Sequence, residues 1–316
     1  MYLVSIRELA NGNREITMPQ KKSVTRIGIA YALYMIIGEV AATLIMLFIQ
    51  SVAHDLAKNA NMQLLVGTLP SYLFAFPVVY LMVRNLPKLK PYPRKITVGW
   101  FFAVFTICMA GMFAGALLGQ VLGKLLNLIP GVTAENAVSD LVMQVNPALI
   151  ILTVVIIAPI IEEFLYRKLL LDRIGPISRQ MAIILSGLMF GLFHANVYQF
   201  FYAFIIGMIF ASIYLNTGKI QYTIFLHMMV NFMGSVVSLY VSQGNNQVVT
   251  VAYGLFYMAL MITGIIMFIL NCKAFMVQDI PGSLPKDIRS KTIFLAPGMF
   301  AFYVVTLLLL ILSLLM

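Results

Sequence analysis

The sequence predicts an all-α, polytopic membrane bundle of eight or nine transmembrane helices, and three observations carry that prediction. First, 61% of the 316 residues are hydrophobic and only 10% are charged, whereas a soluble domain carries about 25% charged residues to cover its surface. Second, apolar runs of roughly 20 residues or more, the length that crosses the hydrocarbon of a bilayer, recur along the whole chain. Third, the lysines and arginines collect in the short connections between those runs, where they set membrane orientation.

Taken in order, the runs are 27–52, 62–83, 98–123, 147–172, 178–195, 197–215, 220–242, 248–271 and 292–316. At a rise of about 1.5 Å per residue each can span, with 178–195 and 197–215 near the lower limit. Residues 1–26 are polar and include Arg7, Arg14, Lys21, Lys22 and Arg26. They are too long and mixed for a signal-peptide n-region, and no small-residue cleavage site follows soon after the first run, which is therefore read as a retained helix. No linker or internal repeat divides 27–316, so it is read as a single multi-pass membrane domain behind a cytoplasmic segment 1–26. Pro297 and Gly298 interrupt the final run and leave its span open. Between Pro130-Gly131 and Pro147 lies a short, mildly apolar stretch, Thr133 to Val145, bearing Glu135 and Asp140. It reads as an interfacial helix or, more sharply, as a lid or an element through which substrate gains access.

With the N-terminus inside, 19 of the 21 lysines and arginines fall on cytoplasmic segments, and only Lys58 and Lys124 fall outside. That asymmetry predicts a cytoplasmic N-terminus, an outer Met316 if the last run spans, and an integral protein of a bacterial plasma membrane. The net charge of +10 is not a nucleic-acid signature, because no basic stripe is interleaved with aromatics. Cys108 and Cys272 form no disulfide framework.

Ionisable groups within apolar runs are costly and therefore functional suspects. Here they are Glu39, Glu162, Glu163, Arg167, His194 and His227, accompanied by the neutral Asn231. The third histidine, His54, falls in an outer loop. Glu163 and Arg167 are four apart and can pair on one helix face, while Glu162 points about 100° away. His227 and Asn231 share a face of a later helix, and Phe190 and His194 repeat the spacing between them. Counting from Arg173 and Arg179, Glu162 is roughly 16 Å deep and His194 roughly 22 Å. From Lys219, His227 and Asn231 are roughly 12 and 18 Å deep. The fourth helix must then run past Arg167 to about Asp172 before Gly175-Pro176 ends it, with Arg167 buried as the partner of Glu163.

A buried carboxylate and a nearby imidazole can deprotonate water, and a second imidazole with a carboxamide can donate to a developing oxyanion. No serine or cysteine stands beside a histidine in a recognisable motif, so general-base hydrolysis of an amide fits these residue types best. Three alternatives stay open at this point. Glu162, His194 and His227 could act as zinc ligands, although no HExxH is present. The same groups could form the relay of a proton-coupled transporter, although inverted repeats are not found. They could also be a structural polar network.

The segments Glu162-Glu163-Phe164-Leu165-Tyr166-Arg167 (EExxxR), Phe190 to His194 (FxxxH) and His227 to Asn231 (HxxxN), in that order on consecutive apolar helices, resemble the CPBP (Abi) family of intramembrane proteases. That family is related to the type II CAAX prenyl endopeptidase, and the resemblance covers about 147–242. It implies a glutamate-dependent intramembrane endopeptidase needing no metal or other cofactor. Glu162 and His194 would activate water, His227 and Asn231 would stabilise the oxyanion, and Glu163 and Arg167 would support the first glutamate. The implied partners are the bilayer and a membrane-associated peptide or protein, with no nucleic acid. Family members range from cleavage of prenylated C-terminal tripeptides to bacteriocin self-immunity, and some act as non-catalytic immunity or scaffold proteins. Two further residues receive readings of their own. Glu39, beside Gly38, is expected to hydrogen-bond between helices. Pro159 is expected to kink the fourth helix and free a backbone carbonyl near the site.

Overall fold

The computed structural model describes residues 18–89, 93–244, 246–279 and 285–315. Arg7, Arg14, Lys90 and Met316 lie outside the described residues. Every element of regular structure among the described residues is helical. Eleven helices are named here: α1 (Met18–Val52), α2 (Ala60–Val83), α3 (Val98–Leu126), α4 (Ala137–Val142), α5 (Pro147–Ile174), α6 (Arg179–Phe193), α7 (Val197–Thr217), α8 (Ile220–Gln243), α9 (Gln247–Asn271), α10 (Lys286–Phe294) and α11 (Pro297–Leu315). Eight of them are long and apolar enough to cross a membrane.

The expected boundaries recur within a few residues, with two differences. The run 178–195 yields only the 15 residues of α6, about 22 Å of helix and short of a full span. It stops because Ala195 adopts a left-handed φ of 44° and Asn196 caps the next helix, its side chain accepting from Tyr198 N and Gln199 N. The final run splits into α10 and α11 at Leu295–Ala296, with Pro297 at the first position of the spanning helix, where its missing N–H costs nothing.

α7 is the most enclosed span and α9 the least. α3 approaches α7 along Gly111, Gly115, Gly119 and Gly123. At these glycines an added methyl group would strike Ile205, Tyr202 or Tyr198. Glycines four apart thus supply the close backbone contact that packs helices in lipid, where no hydrophobic force draws them together. One apolar core joins α1, α2, α5, α6, α7, α10 and α11, and a second joins α3, α7 and α8. Large apolar side chains such as Leu44, Phe48, Leu117 and Ile269 face outward, as lipid contact requires.

Four stretches take the wider π register: Ser71–Ala75 in α2, Ile151–Ile157 and Phe164–Leu171 in α5, and Phe232–Val237 in α8. Wide turns of this kind cluster at functional sites. α5 runs to Ile174 and ends at Gly175-Pro176, as its sequence predicts. Arg173, read as a loop charge marking the inner boundary, is instead 7% exposed. Its guanidinium donates to the carbonyls of Val83 and Arg84 at the C-terminal end of α2 and of Lys168 and Leu169 within α5, tying the two helices together.

Candidate active site

The site is built outward from a fully buried ion pair. Arg167 Nε donates to Glu163 Oε2 at 2.8 Å and Nη2 donates to Oε1 at 3.2 Å, with both side chains 0% exposed. A third donor, Nη1, reaches Ser186 Oγ at 2.6 Å. The guanidinium also lies between the rings of Phe190 and Phe210, 5.5 and 5.7 Å from their centroids. A buried pair of this kind is a poor source of stability, because desolvation offsets its attraction, but it holds a geometry firmly.

What it holds is His227. Glu163 Oε1 lies 3.1 Å from His227 Nδ1, and a carboxylate already accepting from arginine can only accept, so Nδ1 carries the proton. Nε2 of the same ring therefore faces away from the pair, 3.8 Å from Glu162 Oε2. The Tyr72 hydroxyl of α2 is a further hydrogen-bonding partner of Glu162.

His194 sits at the C-terminal end of α6, where the left-handed Ala195 turns the chain away. Its Nδ1 lies 2.8 Å from the carbonyl of Phe190. A carbonyl cannot donate, so this nitrogen is protonated and Nε2 is left as a bare acceptor. The Phe190 ring stands edge-on to both imidazoles, at 5.1 Å from His194 and 5.7 Å from His227. That double contact accounts for the phenylalanine of FxxxH.

Asn231 Nδ2 donates to the carbonyl of Val154 at 2.9 Å. In the π register Ala158 N bonds to Thr153 O, so the next bond would run from residue 159 to Val154. Residue 159 is proline and has no N–H to give. The expected freed carbonyl is present, and it anchors the carboxamide. The amide retains one N–H and its oxygen for other partners.

Glu162, His194, His227 and Asn231 all line one cavity of about 710 Å³. Its wall also includes Tyr72, Tyr202 and Glu39, and α4 contributes Val138, Ser139 and Val142. The α4 segment is thus a wall of the cavity. It is tied down by Asn127 and Tyr198, which both bond to the backbone of Ala134, and by Gln243, which donates to Met143 O. Glu39 does not make the interhelical hydrogen bond expected of it among the described residues; it opens onto the cavity instead.

Among the described residues, no three of His, Cys, Asp and Glu converge to hold a metal ion, so Glu162, His194 and His227 are not gathered as a zinc-ligand set. The sequence reading missed Tyr72 and Ser186. Ser186 precedes Phe190 and His194 at helical spacing and could have been found on that face; a single tyrosine in an apolar run carries no such signal.

Residues 144–233 match the family model of the type II CAAX prenyl endopeptidase Rce1-like proteins. The chain is 29% identical over 199 residues to a Bacillus subtilis (strain 168) protein named "Putative membrane peptidase YdiL", an alignment covering 59% of this chain and 79% of that protein. No solved structure matches.

Proposed function

We propose that this chain, whose residues 144–233 belong to the CAAX protease-like membrane family, is an intramembrane endopeptidase that hydrolyses a peptide bond of a membrane-associated peptide or protein. The observation that carries this reading is the cavity inside the bundle that is lined by a carboxylate, Glu162, and by two imidazoles whose Nδ1 atoms are held by the Phe190 carbonyl and by Glu163.

In this reading Glu162 takes a proton from a cavity water, and the bare Nε2 of His194 accepts the second hydrogen bond that aligns it. The attacked carbonyl oxygen becomes an oxyanion. Asn231 offers its remaining N–H to that oxygen, and Val154 fixes the amide in advance so that no reorganisation is needed. His227 can donate from Nε2 only when that atom is also protonated, since Nδ1–H is committed to Glu163. Proton return from Glu162 to the amine completes cleavage. The roles of Glu162, His194, His227 and Asn231 are those the motif resemblance implies, whereas Glu163 and Arg167, expected to support Glu162, act in this reading through His227. The same reading places residues 1–26 in the cytoplasm and the catalytic core at about 147–242.

The test compares peptide termini in membranes and medium of cells expressing wild-type chain or Glu162→Gln at equal levels. Termini present only with the wild type identify both the activity and its substrates. An unchanged set sinks the protease reading and favours an immunity, scaffold or transport role.

A further inference from the structure

The cavity contains one carboxylate for which hydrolysis has no use. Glu39 lines it from α1, one helical turn beyond Met35, which also lines it. Along α1 it lies about 20 Å from Arg26, well inside the spanning helix. Gly38 fixes this placement: a side chain there would collide with Ser71, so α1 runs tightly against the stretch of α2 that carries Tyr72, the partner of Glu162. No hydrogen bond or ion pair reaches Glu39 among the described residues. A carboxylate at this depth is costly without a counter-charge, and the space in front of it is the one that substrate fills.

The charge of the wall around Glu39 points the same way. The described residues that line the cavity include two glutamates, Glu39 and Glu162, the histidines His194 and His227 of the hydrolytic site, and no lysine or arginine. Beside Glu39, away from those donors, such a wall favours an ammonium or guanidinium group over a carboxylate.

We propose that Glu39 is a specificity residue that recognises a cationic group, a lysine or arginine side chain or a free α-amine, on a membrane-embedded peptide whose scissile bond lies at Glu162. Peptides that bring a terminal carboxylate into the cavity are disfavoured. The inference rests on the hydrolytic reading of Glu162 and adds the charge of the substrate to it. A substrate cation in hydrocarbon and an unpaired Glu39 are each unfavourable alone, and each supplies what the other lacks. A neutral segment leaves Glu39 uncompensated.

The test uses the full-length protein in nanodiscs and apolar reporter peptides of about 20 residues, long enough to span. A single Lys, Gln or Glu is walked through the central positions. A shorter reporter ending within the bilayer is made as free acid and as amide. Binding is measured by photo-crosslinking to Glu162→Gln, and cleavage is measured with the wild type. At one register Glu162→Gln should bind the Lys reporter about tenfold better than the Gln reporter, as a charged hydrogen bond implies. That ratio should fall to about one in Glu162→Gln/Glu39→Gln and invert with Glu39→Lys, and the amide should outbind the free acid. A Lys-to-Gln ratio that Glu39→Gln leaves unmoved, or equal binding of all three reporters, overturns the proposal. Cleavage that survives in Glu162→Gln, or is absent from the wild type, counts against the hydrolytic reading instead, and the binding ratios still decide the role of Glu39.

Discussion

Asn231 holds the carbonyl of Val154 at 2.9 Å, an acceptor of α5 whose donor in the π register would be the N–H that Pro159 lacks. A proline in a membrane helix is thereby coupled to a carboxamide on another helix. Substituting Pro159→Ala supplies an N–H that competes for Val154 and releases the amide. Because a misplacement of about 1 Å can cost as much as 10²-fold, kcat should fall by about one order of magnitude. The melting temperature should hold or rise, since the new residue adds a helical hydrogen bond. A kcat equal to wild type in a reporter-peptide assay would show that the carboxamide needs no such anchor.

The four cavity residues should separate into two classes of defect. Glu162→Gln and His194→Ala should abolish cleavage while leaving the folded yield nearly intact, because neither side chain belongs to the buried ion pair. His227→Ala or Asn231→Ala should each cost roughly 10²–10³ in kcat, the usual loss of one oxyanion donor. Chelators should leave the rate unchanged. Inactivation by chelator with full recovery on zinc addition would return Glu162, His194 and His227 to the role of ligands.

Glu163 and Arg167 make the opposite prediction. With both side chains 0% exposed, removing one partner strands the other, a loss of about 3–5 kcal/mol. Arg167→Met or Glu163→Gln alone should sharply lower the melting temperature in detergent. The double variant Glu163→Gln/Arg167→Met should recover most of the stability, because no charge is left unpaired. It should stay impaired in cleavage, because His227 has lost the anion that fixes its Nδ1 proton. Stability and activity recovering together would mean that the pair serves packing alone.

These contacts mark where the sequence was informative. Helix positions were legible because apolar length and residue identity are local properties, and even the burial of Arg167 followed from its spacing to Glu163. The register was not. Each of the four π stretches depends on how a helix packs against its neighbours, and they decide that Val154 faces Asn231. Nor could spacing show that His227 touches both glutamates, or that Tyr72 joins Glu162 from a helix outside the motifs. Those are contacts between helices, set by close approaches such as Gly38 on Ser71. Ala195 was similarly silent, since alanine is a poor predictor of a left-handed turn, yet that turn is what ends α6 beside His194.

One prediction concerns a group outside the spanning segments. Asp279 accepts from the backbone N–H of Arg179 at 2.6 Å and of Gln180 at 3.1 Å, and from Ser178 Oγ at 2.9 Å, and it pairs with Arg289. It thereby closes the open N-terminus of α6, the helix that carries FxxxH, and ties it to the segment leading into α10. Burial pushes the carboxyl up, but the Gln180 N–H, the Ser178 hydroxyl and the Arg289 guanidinium outweigh it and hold it below the ordinary carboxylate range. A group whose folded pKa lies below its unfolded value stabilises the fold fully above the unfolded value of about 3.9. That contribution disappears as pH falls through the folded pKa. Asp279→Asn should therefore lower stability by about 1 kcal/mol at neutral pH, the scale of a lost helix cap. The wild-type and Asp279→Asn melting temperatures should converge as the pH is taken from 7 to below 4. A gap that stays constant across that range would show that the carboxylate charge contributes nothing and that shape alone is read at this position.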